Sequence, residues 1–217
     1  MPEATIHTIG VTTHGRYLVR PPMAGAGRVA VVGLHGYMQG AQDILDELQR
    51  LPGSDAWLLV AVQGLHRFYD RGHEHVVASW MTSQDRELAI ADNIAYVEAV
   101  LAAVRAAQPF DRLVFLGFSQ GASMASRAAA HAGEGCHGLI MLSGDLAPEV
   151  KAGPARLPRT IVGRGTSDGW YTAEHFAADR EALEDRGALG AAIEFTGGHE
   201  FTDTFRAAAS ALIAALA

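Results

Sequence analysis

A serine lies between two closely spaced glycines at the end of an apolar run. The segment Gly117-Phe118-Ser119-Gln120-Gly121 lies where the apolar run Leu113–Phe118, a pattern typical of a buried strand, ends and small residues that favour a helix begin. A sharp strand-to-helix turn would hold Ser119 in a strained conformation and bring the flanking glycines together. Because Gly117 and Gly121 have no side chain, they fit such a turn. The pattern predicts that Ser119 is an exposed nucleophile at the positive end of a helix.

The polar residues that follow further along the chain supply a base and an acid for this serine. A serine hydroxyl needs a base to remove its proton. His199 stands in a glycine-flanked segment between the last predicted strand and the last predicted helix, and we expect it to be that base. Asp168 follows the penultimate strand, where its carboxylate would fix the histidine tautomer. Asp145, after the preceding strand, is the alternative acid, and helix N-capping is an alternative role for both carboxylates.

Serine chemistry on a carbonyl also needs donors for the negative oxygen that develops. The backbone N–H of Gln120, the residue after the serine, is the first predicted donor. The glycine-rich segment Gly33–Met38 closes an early strand and supplies the second. We predict Tyr37 N–H for this role, with Met38 N–H as the alternative. His35 is expected to brace this loop rather than to transfer a proton.

A long segment without a regular pattern, Gln63–Ser83, carries many apolar side chains. Long ordered loops are often functional, so Trp80 and Phe68 are predicted to form a wall of the substrate pocket. Met38 and Trp170 are assigned to the same substrate-binding surface. The alternative is that the apolar residues of the long segment only cover the edge of a sheet.

The sequence offers little to hold a metal or a cofactor. His66, His73 and His75 suggest a metal site, but neither a nearby cysteine nor tight helical spacing supports one. Lys151 is the only lysine and Cys136 the only cysteine, which disfavours Schiff-base chemistry and excludes a cysteine cluster. We therefore predict no metal and no cofactor.

Composition limits the possible classes of protein. The 217 residues are 49% hydrophobic and 19% charged, which predicts one folded domain over residues 1–217. A net charge of −7 argues against nucleic-acid binding. The N-terminus lacks a signal-peptide pattern and no apolar stretch reaches membrane-spanning length, so a cytoplasmic protein without a membrane span is expected. The partner is predicted to be a small molecule, and the chain to be a monomer or a homodimer.

Short apolar runs alternate with helical patterns along most of the chain. The predicted strands are Val29–Leu34, Trp57–Val62, Leu113–Phe118, Gly138–Leu142, Arg159–Val162 and Ala192–Phe195. The predicted helices are Gln42–Leu51, Gln84–Ala107, Gln120–Ala132, Tyr171–Arg186 and Phe201–Ala215. An N-terminal hairpin is predicted from Thr5–Thr12 and Tyr17–Val19. The alternation predicts a three-layer α/β fold, with a mainly parallel, twisted sheet and helices on both faces.

Several short motifs of this chain occur together in a known family. They are Leu34-His35-Gly36-Tyr37, Gly117-Phe118-Ser119-Gln120-Gly121, Asp168, Gly198-His199, Trp80 before a long helix, and Leu142-Ser143-Gly144. Together they resemble the phospholipase/carboxylesterase family of α/β-hydrolases, which includes acyl-protein thioesterases, over Val29–Ala217. The resemblance implies an α/β-hydrolase fold without a large lid domain, no cofactor, and a triad of Ser119, Asp168 and His199.

Two departures from the family pattern leave the substrate open. Arg164 stands where relatives usually have a histidine, and Tyr37-Met38-Gln39-Gly40 replaces a short acidic loop. We expect a serine hydrolase that cleaves ester or thioester bonds of short to medium acyl groups through an acyl-enzyme. The alternatives are a catalytically silent binding or regulatory protein, and a serine peptidase or acyltransferase on the same fold.

Overall fold

The computed structural model describes residues 3–23 and 28–216, in which strands and helices alternate. The strands are β1 (Arg16–Arg20), β2 (Val29–Leu34), β3 (Leu58–Gln63), β4 (His66–Tyr69), β5 (Val76–Ser79), β6 (Arg112–Phe118), β7 (Gly138–Leu142), β8 (Thr160–Gly165) and β9 (Leu189–Phe195). The helices are α1 (Ala41–Gln49), α2 (Arg86–Ala107), α3 (Gln120–Ala132), α4 (Pro148–Ala152), α5 (Ala173–Asp185) and α6 (Asp203–Ala214).

A seven-stranded sheet forms the centre of the molecule, in the order β1-β3-β2-β6-β7-β8-β9. All neighbouring pairs are parallel except β1 and β3. Leu34 at the end of β2 lies opposite Gly117 of β6, and Phe118 lies opposite Leu142 at the end of β7. The carboxyl ends of these three strands therefore meet at one edge, which confirms the predicted mainly parallel sheet.

The sheet is buried on both faces because alternate side chains of its strands point to opposite sides. In β6, Leu113 and Phe115 belong to the core beneath α2, α3 and α5, whereas Val114 and Leu116 belong to the core beneath α1 and α6. A strand buried on both faces needs apolar residues at nearly every position, which explains the continuous apolar runs. The three-layer prediction is confirmed.

The predicted N-terminal hairpin is wrong. Tyr17–Val19 does belong to a strand, β1, but that strand pairs antiparallel with β3, with Tyr17 opposite Val62. Residues 3–15 contain no strand, and Ile6 and Ile9 are exposed. The edge of β3 offers β1 both backbone partners and a core-facing surface, whereas an isolated hairpin would offer little buried surface.

The segment predicted to lack regular structure, Gln63–Ser83, contains a second antiparallel pair, β4 and β5. A single bridge between Gln39 and Ala78 joins β5 to the loop after β2. This small sheet therefore fixes the position of a loop that the sequence predicted to be functional. The short helix α4 was also missed, because five residues are too few to show a helical period.

No helix in residues 3–23 and 28–216 is long and apolar enough to cross a membrane.

Packing at the centre of the sheet predicts the response to truncation. Phe115 is fully buried in β6, so Phe115→Ala should lower the free energy of unfolding by about 3–5 kcal/mol through lost burial and a cavity. The control Leu88→Ala, at a half-exposed position of α2, should change it by no more than about 0.5 kcal/mol. Urea denaturation of both variants measures the difference, and equal effects would contradict the burial of Phe115.

Candidate active site

Ser119 occupies the sharp turn between β6 and α3. Its φ and ψ angles are 54° and −123°, a conformation that side-chain-bearing residues rarely adopt. Its N–H donates to Leu142 O at 2.9 Å, which fixes the turn to the end of β7. A Cβ at Gly117 would collide with the backbone of Gly121, and one at Gly144 would collide with Ser119 O. The turn is thus held by close backbone contacts that only glycine permits.

The carboxylate of Asp168 lies against the imidazole of His199. Asp168 follows β8 and His199 follows β9, and Nδ1 of the histidine lies 2.9 Å from Oδ2 and 3.1 Å from Oδ1. The side chain of Asp168 is 0% exposed and that of His199 is 25% exposed. Since a carboxylate only accepts hydrogen bonds, Nδ1 carries the proton and Nε2 is left as the basic nitrogen.

The surroundings of Asp168 favour its charged form. Burial raises its pKa, but the N–H groups of Tyr171 and Trp170 and the side chains of Ser143 and His199 together lower the pKa below its usual value. The two backbone donors lie 3.0 and 2.9 Å from Oδ1. Asp168 is therefore ionised at neutral pH.

Two loops carry these residues and are fastened to each other. Ser167 N–H donates to Gly197 O at 2.9 Å, and a Cβ at Gly165 would collide with Gly198 O. The guanidinium of Arg164 is buried. It donates hydrogen bonds to the backbone oxygens of Tyr171 at 3.2 Å and Thr166 at 3.3 Å, and to Oε1 of Glu194 at 3.0 Å. Arg164, which departs from the family pattern, thus holds both ends of the loop that carries Asp168.

Ser119 and His199 line the same cavity, which has a volume of about 580 Å³. The Phe118 ring supports the imidazole, with ring centroids 4.9 Å apart. No hydrogen bond joins Ser119 to His199 within the described residues, and catalytic hydrogen bonds often tighten only around a substrate. The other lining residues are Arg86, Gln120, Ser123, Ser143, Gly144, Asp145, Leu146, Pro148, Lys151, Ala152, Trp170 and Tyr171.

Asp145, the alternative acid, lies in the cavity wall but contacts a different histidine. Its Oδ1 is 3.0 Å from Nδ1 of His175 in α5. Asp168 therefore contacts His199, and Asp145 does not.

The loop after β2 passes beside the serine. A Cβ at Gly36 would lie 3.2 Å from Ser119 Cβ. Met38 N–H donates to Ala78 O at 3.1 Å, so this amide is occupied. Tyr37 N–H makes no hydrogen bond to other backbone groups of the described chain. Of the two amides predicted for this loop, only that of Tyr37 is free to bind a ligand.

His35 is enclosed beneath this loop as a neutral ring. Nδ1 donates to Gly36 O at 2.7 Å, and Nε2 accepts from Gly64 N–H at 2.9 Å. Burial lowers the pKa of His35, and the hydrogen bond to Gly36 and the charge of Asp43 offset this only in part. The ring joins the loop to the end of β3, as expected of a bracing residue.

Of the four residues predicted to bind substrate, only one lines the cavity. Trp170 lines the cavity and is 82% exposed. Trp80 is 0% exposed, and its indole N–H donates a hydrogen bond to His35 O inside the protein. Phe68 packs on Tyr37 with ring centroids 5.8 Å apart, and neither Phe68 nor Met38 lines the cavity. The prediction that Trp80, Phe68 and Met38 form the wall of the pocket is corrected for this cavity, because Trp80 is enclosed in the core and Phe68 and Met38 lie outside the cavity lining.

Sequence reasoning missed the wall formed by Leu146, Pro148, Lys151 and Ala152. One signal was available, because Leu142-Ser143-Gly144 ends a strand at the same sheet edge as Ser119. Loops that follow such strands line the sites of open α/β sheets.

The three histidines considered for a metal site lie on or near the β4–β5 pair. Among them, His75 contacts Asp70 at 3.2 Å. No cluster of three or more metal-ligating side chains occurs in the part of the chain that the structure describes.

The lowered pKa of His35 predicts a pH-dependent contribution to stability. As the pH falls below about 6.5, His35 takes up a proton in the unfolded chain but not in the folded one, so stability decreases until the folded pKa is reached. The stability difference between wild type and His35→Gln should therefore be larger at pH 7.5 than at pH 5.5. Urea denaturation at both pH values measures it; an unchanged difference would contradict the buried neutral ring.

One family of known proteins matches most of the chain. The sequence model of a family described as Serine hydrolase (FSH1) matches residues 30–199. No curated protein matches the sequence significantly.

Solved structures similar to this one have the same fold. Esterase PE8 has a TM-score of 0.74 and 23% identity, covering 94% of this chain and 99% of that one. Zea mays acyl-protein thioesterase 2 has a TM-score of 0.73 and 21% identity, covering 93% and 99%. A Bacillus cereus carboxylesterase has a TM-score of 0.74 and 16% identity, covering 93% and 94%. The fold is that of the α/β-hydrolases, and, by its match over more than half its length, the chain belongs to the serine hydrolase (FSH1) family.

Proposed function

We propose that this enzyme hydrolyses carboxylic ester or thioester bonds through an acyl-enzyme on Ser119. One observation carries the proposal: the strained turn with Ser119 and the Asp168–His199 pair open into one cavity. Similar solved structures include a carboxylesterase and an acyl-protein thioesterase, which supports the ester and thioester classes. We also propose that residues 1–217 form one catalytic domain.

The reaction proceeds in two steps. His199 Nε2 removes the proton of Ser119 Oγ, which attacks the carbonyl carbon and forms a tetrahedral intermediate. The intermediate collapses as the alcohol or thiol leaves with the proton, and Ser119 keeps the acyl group. Water, deprotonated by His199, then attacks the acyl-enzyme, and the proton returns to Ser119 as the acid leaves. Asp168 stabilises the imidazolium in both steps without taking its proton.

Two backbone donors stabilise the negative oxygen of each intermediate. Gln120 N–H is the first, at the start of α3, where the helix dipole adds positive potential. Tyr37 N–H is the second. The hydrogen bond from Met38 N–H to Ala78 O supports Tyr37 over Met38, because an occupied amide is not free for the oxyanion.

The substrate is a small molecule with a short or medium acyl group. A volume of about 580 Å³ suits such a group, and Trp170 and Leu146 offer apolar contacts. Arg86, Asp145 and Lys151 add charge to the wall, which disfavours a long alkyl chain there. The enzyme acts as a monomer or a homodimer in the cytoplasm, where a lone buried thiol such as Cys136 stays reduced.

The test of the function begins with a fluorophosphonate probe, which forms a covalent adduct with an activated serine. Intact-mass analysis and peptide mapping should find one adduct, on Ser119, and Ser119→Ala should show none. Wild type should hydrolyse nitrophenyl butyrate faster than nitrophenyl palmitate. A folded wild-type protein without adduct or turnover would favour a catalytically silent binding protein instead.

The identity of the acid is tested by a matched pair of substitutions. Asp168→Asn should lower kcat by about 10³–10⁴-fold, because the amide stabilises neither the imidazolium nor the correct tautomer. Asp145→Asn, in the same cavity but paired with His175, should change kcat by less than about tenfold. Thermal unfolding of both variants establishes that they are folded. The reverse pattern of kcat values would assign the acid to Asp145.

A further inference from the structure

We propose that Trp80 is a positioning residue that holds the two donors of the oxyanion hole at their working separation. This inference rests on the proposed function, since it concerns the same site. It replaces the role in the pocket wall that the sequence suggested for Trp80. Trp80 touches neither the cavity nor the reacting atoms, so its effect is exerted through the groups that it binds.

The indole of Trp80 holds the loop that carries the Tyr37 amide. Its Nε1–H donates to His35 O at 2.9 Å, and its ring packs on the His35 ring with centroids 5.2 Å apart. His35 O is two residues before the Tyr37 amide, so its position sets the path of the backbone that delivers this donor.

The backbone of Trp80 holds the other half of the site. Trp80 N–H donates to Gln120 Oε1 at 2.9 Å, and Gln120 Nε2 donates to Met81 O at 2.9 Å. Gln120, whose backbone N–H is the first oxyanion donor, is thus anchored by its side chain to the backbone of Trp80 and of the next residue, Met81. One residue joins both halves of the oxyanion hole.

Trp80 is itself fixed from below. Asn93 Nδ2, fully buried on α2, donates to Trp80 O at 2.7 Å. All three hydrogen-bonding groups of Trp80 are therefore satisfied while the residue is 0% exposed. A group so constrained has little freedom to shift, which is what preorganised donors require.

The opposite side of the His35 carbonyl is also closed. Gly121 packs so tightly on it that a Cβ at this position would collide with Leu34 O and His35 O. The carbonyl therefore lies between the Trp80 indole and the start of α3. Removal of the indole N–H would leave this buried acceptor unsatisfied and free the loop to move away from Ser119.

The test is Trp80→Phe, which removes the N–H and keeps an aromatic ring. We expect kcat for nitrophenyl butyrate to fall about 10- to 100-fold, because a small displacement of one donor weakens transition-state binding. KM should change by no more than about threefold, since substrate contacts are intact. The pH profile of kcat should keep its shape, because the Asp168–His199 pair is untouched.

An inhibitor separates positioning from general damage. An aliphatic trifluoromethyl ketone adds to the serine as a charged tetrahedral adduct, so its affinity should fall by a similar factor to kcat/KM. The matched control is Trp57→Phe, because Trp57 is also buried but packs in the core beneath α1, away from the site. This control should lose stability without a change in kcat or in ketone affinity at temperatures where it is folded.

A second variant tests the same role if Trp80→Phe fails to fold, because it keeps the volume of the two-ring side chain. Replacement of Trp80 by 3-benzothienylalanine substitutes sulfur for the N–H alone, and the same losses in kcat and ketone affinity are expected. Wild-type kcat in this variant, or an equal loss of kcat in Trp57→Phe, would overturn the role of Trp80 and leave the proposed function standing. A wild-type protein that neither turns over ester nor binds the ketone would refute both.

Discussion

Close backbone approach around Ser119 is the constraint on which the site depends. The strained turn brings β6, α3 and the loop after β7 so near to one another that Gly117, Gly121 and Gly144 have no room for a Cβ. The contact of Gly117 with Gly121 closes the turn itself. Gly121 packs on the loop after β2, and Gly144 packs the loop after β7 on Ser119. A side chain at any of these positions would force backbone atoms apart, which costs more than moving a flexible group.

Four buried side chains around this turn, those of Asp168, Arg164, His35 and Trp80, have hydrogen-bond partners within the protein. Asp168 receives two backbone N–H groups as well as the imidazole, and Arg164 bonds to the loop on both sides of it. His35 and Trp80 do the same for the loop after β2. Such groups are costly to bury without partners, so each loop has one preferred position. Rigidity at the site thus follows from the satisfaction of its hydrogen bonds, and fixed dipoles are what the charged intermediates of acyl transfer need.

Local pattern predicted most of the sheet because its strands are buried on both faces. The run Leu113–Phe118 is apolar at nearly every position, and β6 begins only one residue earlier. Prediction failed where a strand depends on a distant partner. β1 pairs with β3, which lies beyond β2 and α1 along the chain, and no local signal in Tyr17–Val19 identifies that partner. The β4–β5 pair was missed for a related reason, since its short strands are largely exposed and lack a continuous apolar run.

The sequence by itself determined the residue types of the site and their order along a parallel sheet. The site could be predicted from local features: a glycine two positions before and after Ser119, and an acid and a histidine after the last two strands. These features indicate one site because the strand ends of a parallel sheet meet at one edge. Only the tertiary structure decided between partners. Asp168 and Asp145 both follow strands at that edge, and the distance to His199 distinguishes them. Trp80 is apolar in the sequence, but its burial and hydrogen bonds depend on where three separate segments cross, which no local pattern encodes.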